Sequence, residues 1–266
     1  VTHKVTAETL RLHRGLAVEN HRRILQDLAR RLSMSDRRLP PSPELSAWIE
    51  SRRPLPPHVA FIEERYAAEP YRLVLSLLSA DLADASRDEM TARLLERTPH
   101  QAKINLQHLL KPIDIIAARL PDALAQDEMQ KVLYQLHIFG LHTMRLDIRE
   151  ESSRFNSAVD ETLRALNITS NFSGMTEEER LTLLTQLISS PMPDLSTNPG
   201  VTPATAETWA LFQLIKRVRD IYGEELLGPV VISMCRYGSD VLSVLLLARW
   251  TGCDERLQIV PLFETI

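Results

Sequence analysis

Residues 141–149 read Leu-His-Thr-Met-Arg-Leu-Asp-Ile-Arg, and the last six alternate between apolar and charged side chains. In an extended chain successive side chains point to opposite faces, so this alternation separates an apolar face from a charged one. The apolar face carries Met144, Leu146 and Ile148, and the charged face carries Arg145, Asp147 and Arg149. The period of two, with a β-branched residue in it, predicts a β-strand.

Two further strands are predicted downstream of this one. Residues 229–235 (PVVISMC) and 258–263 (QIVPLF) are short apolar runs, and helical patterns fill the stretches between the three strands. Strands that alternate with helices are typical of parallel β/α units. We therefore expect residues 140–266 to form a parallel sheet with accompanying helices.

Capping signals predict where several of these helices begin and end. Thr176, followed three residues later by a glutamate, forms a capping box. Thr202 precedes a proline that would occupy the first helical position. Ser239 is predicted to cap the next helix, and Gly223 and Gly252 are predicted to end two helices.

The first half of the chain is predicted to be helical. Apolar residues recur at helical spacing over residues 5–32, 58–82, 101–119 and 122–139. The stretch 33–57 is rich in proline, serine and arginine, and is predicted to be a surface loop around one short helix. The sequence thus divides into an all-helical part, residues 1–139, and a β/α part, residues 140–266.

The composition is that of an ordinary globular domain. The chain has 266 residues, 44% hydrophobic and 25% charged, with a formal net charge of 31 − 35 = −4. Its eight glycines are few for a turn-rich β-sandwich, and no apolar run approaches the roughly 18 residues that a membrane helix needs. Two cysteines cannot build a disulfide framework, which predicts reduced thiols in a cytoplasmic protein without a membrane partner. The first residue is not Met and the last follows an apolar run, so we expect a segment of a longer protein.

The first 53 residues are basic, with 11 lysines and arginines against 6 aspartates and glutamates, a local charge of 11 − 6 = +5. A basic helical segment can bind nucleic acid, so a helical nucleic-acid-binding or interaction module is the alternative hypothesis. Only one aromatic residue, Trp48, lies among these arginines. The interpretation we favour is that the segment faces acidic groups of the same protein and binds no nucleic acid.

Three side chains stand where ligands gather in parallel β/α folds, at the C-terminal ends of strands. Arg149 ends the first predicted strand, Arg236 follows the second and Glu264 follows the third. Two guanidinium groups and a carboxylate would suit an anionic substrate with a divalent metal, because Mg²⁺ takes only one or two protein carboxylates. The residues alone leave other interpretations open: a solvated strand face, a surface arginine and a loop glutamate. His137 and His142 lack the spacing of zinc ligands.

Several stretches resemble, in order, the signature sequences of the phosphoenolpyruvate carboxylase family. Residues 139–154 (FGLHTMRLDIREESSR) resemble its F-G-x-x-x-x-R-x-D-I-R-Q-E-S-x-R run, and residues 232–244 (ISMCRYGSDVLSV) its I-S-M-x-x-x-x-S-D-V-L-x-V run. Residues 260–265 resemble its V-P-L-F-E-T run, and shorter matches are VTAET at 5–9 and EPYR at 69–72. Glu150 and Phe155 depart from the family pattern, which has Gln and His there.

The resemblance implies a mostly helical, tetrameric protein built around a β/α barrel of the TIM type. Such an enzyme adds bicarbonate to phosphoenolpyruvate, giving oxaloacetate and phosphate, with Mg²⁺ or Mn²⁺, and so replenishes the tricarboxylic acid cycle. Glu264 matches a metal ligand of the family, and Arg149 matches an arginine that binds the anionic substrate. We further expect Arg145 and Asp147 to hold Arg149 in place.

Other family motifs are missing from the chain. The T-A-H-P-T-E motif, with the catalytic histidine, would precede the matched region, and the S-D-S-x-K-D motif, with a second metal carboxylate and a lysine, would follow it. The 266 residues would then supply one metal ligand and one substrate arginine but no catalytic residue. We expect the chain by itself to have no carboxylase activity.

Overall fold

The computed structural model describes residues 5–86, 90–95, 104–122, 125–193 and 201–264. These residues form two compact units. Glu8–Met144 make up the first, and residues 145–264 with 5–7 make up the second.

The first unit is helical, as predicted. Its helices are α1 (Ala7–Arg31), α2 (Pro43–Ser51), α3 (Pro57–Arg65), α4 (Pro70–Ser86), α5 (Met90–Leu95), α6 (Leu106–Ala117) and α7 (Gln130–Phe139), with a π-helical turn at Ala125–Met129. Tyr71 is fully buried among leucines, valines and isoleucines of α1, α4, α6 and α7, and its hydroxyl donates to the carbonyl of Pro40 at 3.0 Å. Apolar burial of this kind is what holds helices of ordinary propensity together.

Two details of this unit differ from the prediction. The helical pattern over 58–82 is two helices, because Pro70 has no N–H to donate and a new helix starts there. Helix α5 was not predicted at all. The N-terminal part of the predicted helix over 101–119 lies outside the described residues, and Asn105 caps α6 by accepting the N–H of His108 at 3.0 Å.

The second unit alternates strands and helices. Its elements are β1 (Leu146–Glu151), α8 (Ser152–Ala165), α9 (Glu177–Ser189), α10 (Pro203–Tyr222), β2 (Leu227–Ser233), α11 (Gly238–Thr251) and β3 (Ile259–Pro261). The strands form one parallel sheet in the order β1-β2-β3, which confirms the predicted parallel arrangement.

Most of the predicted helix boundaries in this unit are confirmed. Thr176 caps α9 together with its capping-box glutamate, and Thr202 caps α10. Gly223 and Gly252, both with positive φ, end α10 and α11. The prediction for Ser239 is wrong: it lies inside the first turn of α11, where its hydroxyl is bound to a glutamate of α9.

One face of the sheet is covered by helices and the other is open. Ile148, Val230 and Ile259 are in register on the covered face, which packs on α8 and α11. Arg149 and Val260 lie in register with Val231 on the opposite face, and both are exposed. The alternation in the sequence therefore separates buried from exposed side chains, as a strand with one covered face requires.

Candidate functional site

The C-terminal ends of the three strands lie at one edge of the sheet, here called the carboxyl edge. The backbone pairing extends past β3: the N–H of Leu262 donates to the carbonyl of Ile232 at 2.8 Å, and the N–H of Cys235 donates to Leu262 at 3.3 Å. Glu264 follows two residues later, Arg236 follows Cys235, and Arg149 is two residues from the end of β1. The three predicted site residues thus belong to neighbouring segments, with the outer strands about 10 Å apart.

Arg149 presents an exposed guanidinium on the open face. Its closest acidic group is Asp147, with 3.7 Å between Nη2 and Oδ2, and the two side chains are 66% and 41% exposed. A long, solvated pair of this kind is worth little free energy. The guanidinium is therefore exposed and available to an anion, and the predicted role of Asp147 in holding Arg149 stays a prediction.

Asp147 occupies a gap that a glycine provides on the neighbouring strand. The register shifts between Leu146 and Ile148, so that Gly228 lies beside Asp147. A Cβ on Gly228 would be 2.4 Å from Oδ1 of Asp147 and 3.3 Å from its backbone nitrogen. A side chain at position 228 would have to displace this exposed carboxylate from its present position.

Arg145 lies just before β1, at the edge of the sheet opposite to the carboxyl edge. It precedes β1 and lines a cleft of about 160 Å³ at the amino-terminal edge, together with Leu227, Arg219 and Gln258. Arg149 lies four positions further along the chain, about 13 Å away in an extended strand. The predicted role of Arg145 in holding Arg149 stays a prediction.

The loop that follows β2, Met234–Tyr237, is held by polar side chains that sequence reasoning did not single out. Asp240, 2% exposed, accepts the backbone N–H groups of Arg236 and Tyr237 at 2.8 and 3.1 Å. Asn156 on α8 donates to the same carboxylate at 2.7 Å. The only signal in the sequence was that Asp240 belongs to one of the matched family motifs.

Glu264 is an exposed carboxylate. Carboxylate oxygen is the ligand that Mg²⁺ and Mn²⁺ prefer, so the chemistry of Glu264 fits such an ion. Among the described residues no group of three or more His, Cys, Asp or Glu side chains is arranged to hold a metal. Glu150, at the same edge, is already engaged by Arg154 at 2.6 Å. The assignment of Glu264 as a metal ligand therefore stays a prediction.

Many arginines of the first 53 residues pair with carboxylates of the first unit, and three of these carboxylates, Asp81, Glu128 and Glu63, lie beyond the basic segment. Arg22 and Arg23 both bind Glu19, and their hydrogen bonds lower the pKa of this carboxyl from 4.5 to about 2. Arg52 binds Asp81 at 2.6 Å. Further pairs join Arg11 to Glu8, Arg31 to Glu128, and Arg53 to Glu50 and Glu63. The described residues include no helix long and apolar enough to cross a membrane.

Comparison with known proteins identifies the family. A family model described as phosphoenolpyruvate carboxylase matches residues 1–266. The chain belongs to the phosphoenolpyruvate carboxylase family. Three curated relatives, each named phosphoenolpyruvate carboxylase, come from Roseiflexus castenholzii, Synechococcus sp. strain WH7803 and Prochlorococcus marinus strain MIT 9515. They are 31%, 32% and 30% identical over 279, 292 and 289 residues.

The similarity to these phosphoenolpyruvate carboxylases covers all of the chain and part of each relative. Each alignment covers 100% of this chain, but 30% of the Roseiflexus protein and 29% of the other two. The chain thus spans somewhat less than a third of the length of the curated relatives that it matches.

Proposed function

We propose that the chain forms part of a phosphoenolpyruvate carboxylase, which joins bicarbonate to phosphoenolpyruvate to give oxaloacetate and phosphate. The observation that carries the proposal is the family match over every residue, with motif residues Arg149 and Glu264 in segments that end at one edge of a parallel sheet. Ligand sites of parallel β/α folds lie at this edge. The enzyme would be a cytoplasmic homotetramer that supplies the tricarboxylic acid cycle.

In this proposal Arg149 binds the anionic substrate. Phosphoenolpyruvate carries a phosphate and a carboxylate, and a planar guanidinium can bind either of them with two parallel hydrogen bonds. The contact with Asp147 is long and solvated, so the donors of the arginine remain available to the substrate.

Glu264 would be one ligand of Mg²⁺ or Mn²⁺. When bound, the ion would stabilise negative charge on the enolate oxygen of the substrate. Among the described residues Glu264 takes part in no ion pair, so ligation would not have to break one. The remaining ligands would come from outside residues 1–266 and from substrate or water.

The barrel belongs to the same proposal. A β/α barrel needs parallel strands whose outer face carries helices and whose inner face is lined by side chains from several strands. The three strands and their helices fit its beginning, with Arg149 and Val260 on the face that would be interior.

The first experiment tests activity in the full-length product of the gene. Oxaloacetate formation, coupled to malate dehydrogenase, should depend on phosphoenolpyruvate, bicarbonate and divalent metal. Arg149→Gln should raise KM for phosphoenolpyruvate by ~10-fold or more, because it removes charge-assisted hydrogen bonds worth about 1.5–3 kcal/mol. Arg164→Gln is the matched control, since Arg164 is exposed on α8 and pairs with Asp160.

The second experiment tests the metal ligand and the isolated chain. Glu264→Gln should weaken Mn²⁺ binding, measured by electron paramagnetic resonance, and lower kcat with the fold intact. Unaltered Mn²⁺ affinity would refute the ligand assignment. The 266-residue chain expressed by itself should form no oxaloacetate, and turnover by this chain would refute the proposal that it is incomplete as an enzyme.

A further inference from the structure

We propose that Arg236 is a second substrate-contacting arginine at the carboxyl edge and that Asp240 is the positioning residue that holds it there. The inference rests on the proposed function. The strand pattern made Arg236 a candidate by position alone, and the motif match assigned a role to neither Arg236 nor Asp240. Arg236 lies in the loop Met234–Tyr237, between β2 and α11.

The buried carboxylate of Asp240 binds the backbone of this loop. One oxygen of Asp240 accepts both the N–H of Arg236 and the N–H of Tyr237, and the other oxygen accepts from Nδ2 of Asn156. Because Asp240 is 2% exposed, its charge has little access to water and depends on these donors. The two backbone groups it holds are those of Arg236 itself and of the next residue.

A further set of hydrogen bonds holds Asp240 and its helix in place. Oδ1 of Asn156 accepts from the hydroxyl of Ser243 at 2.8 Å, and Ser243 is fully buried. Glu177 accepts the N–H of Ser239 at 2.9 Å and its hydroxyl at 2.5 Å. A buried network in which each member is satisfied is rigid and selects a single arrangement.

The chain enters this loop through a strained residue. Met234, directly after β2, has φ = 54°, a conformation that costs a residue with a side chain about 1 kcal/mol or more. Its carbonyl accepts from the hydroxyl of Ser152 at 2.9 Å. The turn at Met234 thus fixes the backbone before Arg236, and the hydrogen bonds to Asp240 fix the backbone at Arg236 and at the residue after it.

The loop presents the side chain of Arg236 as a cation. Arg236 is exposed, and within the described residues it takes part in no ion pair. Arg154, on the helix after β1, is instead held by Glu150 and Glu207. The loop begins on the strand next to the one that carries Arg149, and strands lie ~5 Å apart. A substrate with two anionic groups would use both cations.

The test is a double-mutant cycle in the full-length gene product. Arg236→Gln and Asp240→Ala should each raise KM for phosphoenolpyruvate by ~5- to 20-fold while kcat changes less. The double variant should be no worse than the more impaired single variant, because Asp240 acts through Arg236. Arg249→Gln, in the last turn of the same helix, is the control and should leave KM unchanged.

Exchanging the side chains of Asn156 and Asp240 distinguishes a positioning effect from a loss of folding. Asn156→Asp alone would put two carboxylates together and should raise KM. The pair Asn156→Asp with Asp240→Asn restores complementary donors and acceptors and should return KM to within about twofold of wild type. A purely structural role would lower the folded fraction and leave KM unchanged.

The outcomes separate this inference from the proposed function. An active wild-type protein whose KM is unaltered by Arg236→Gln would overturn the inference alone. The inference would also be overturned if the increases in KM caused by Arg236→Gln and Asp240→Ala multiply in the double variant. A wild-type protein without carboxylase activity would overturn both the proposed function and the inference.

Discussion

Glu150 and Phe155, the two departures from the family motif, have identifiable contacts at the scale of the residue. Glu150, in β1, binds Arg154 in the first turn of α8 at 2.6 Å. Phe155 is fully buried, and its ring meets that of Phe212 edge to face at 6.0 Å between centroids. Both residues serve the packing of α8 against its neighbours, so these departures leave Arg149 untouched.

Gly228 gives a prediction at the same scale. Gly228→Ala should lower the free energy of unfolding by about 1 kcal/mol, at the low end of overpacking costs, because the exposed Asp147 carboxylate can move aside while the strand backbone 3.3 Å away must shift slightly. Chemical denaturation of the purified chain, at concentrations too low for it to associate, measures the change. Gly15→Ala is the control: nothing lies within 4 Å of the position that a Cβ would occupy there, and alanine in a helix should stabilise by about 0.5–1 kcal/mol. Equal effects of the two substitutions would contradict the close approach at Gly228.

At the scale of the element, α1 is joined to the segment that follows α7. Nε2–H of His21 donates to the carbonyl of Gly140 at 2.6 Å, and Nδ1 of His13 lies 3.2 Å from the hydroxyl of Thr143. His21 is 1% exposed, and burial lowers its pKa below the ordinary 6.5. The helix therefore holds this segment through an imidazole whose neutral form is favoured by burial.

Acid should weaken the first unit through His21. Below pH ~6.5 the unfolded chain binds a proton that the folded chain binds only at lower pH. The free energy of unfolding should therefore decrease as the pH is lowered, until the pH drops below the pKa of His21 in the folded chain. Urea denaturation between pH 7.5 and 5 measures the slope. His21→Gln should flatten it, whereas His137→Gln, at an exposed site on α7, should not. If the slope is unchanged in His21→Gln, His21 is not the source of the pH dependence.

At the scale of the whole molecule, the sheet has unpaired edges and exposed apolar side chains. Within the described residues β1 and β3 pair only with β2. Val260 and Phe263, at and beyond β3, are 43% and 67% exposed. Unpaired strands with apolar side chains pair with other copies of the chain.

The isolated 266-residue chain should therefore associate or be poorly soluble. Light scattering after size-exclusion chromatography should show an apparent mass that rises with protein concentration. Phe263→Lys should reduce this rise. Ile138→Lys is the control, because Ile138 is equally exposed but lies on helix α7. A monodisperse monomer at all concentrations would contradict the expectation.

The sequence by itself determined the parts of this protein that depend on near neighbours. Period-two alternation fixes which of Ile148 and Arg149 is buried, and a threonine three residues before a glutamate begins a helix at Thr176. These patterns act over a few residues and can be read locally. The order of motifs also determined the family.

Only the tertiary structure decided what distant residues do together. Asn156 and Asp240 are 84 positions apart, and they meet because β1 and β2 are parallel neighbours followed by helices on one face. Gly228 is needed because a register shift brings it beside Asp147. A pairing across strands depends on register and packing, which no local pattern contains, so the positioning of Arg236 became visible only in the folded chain.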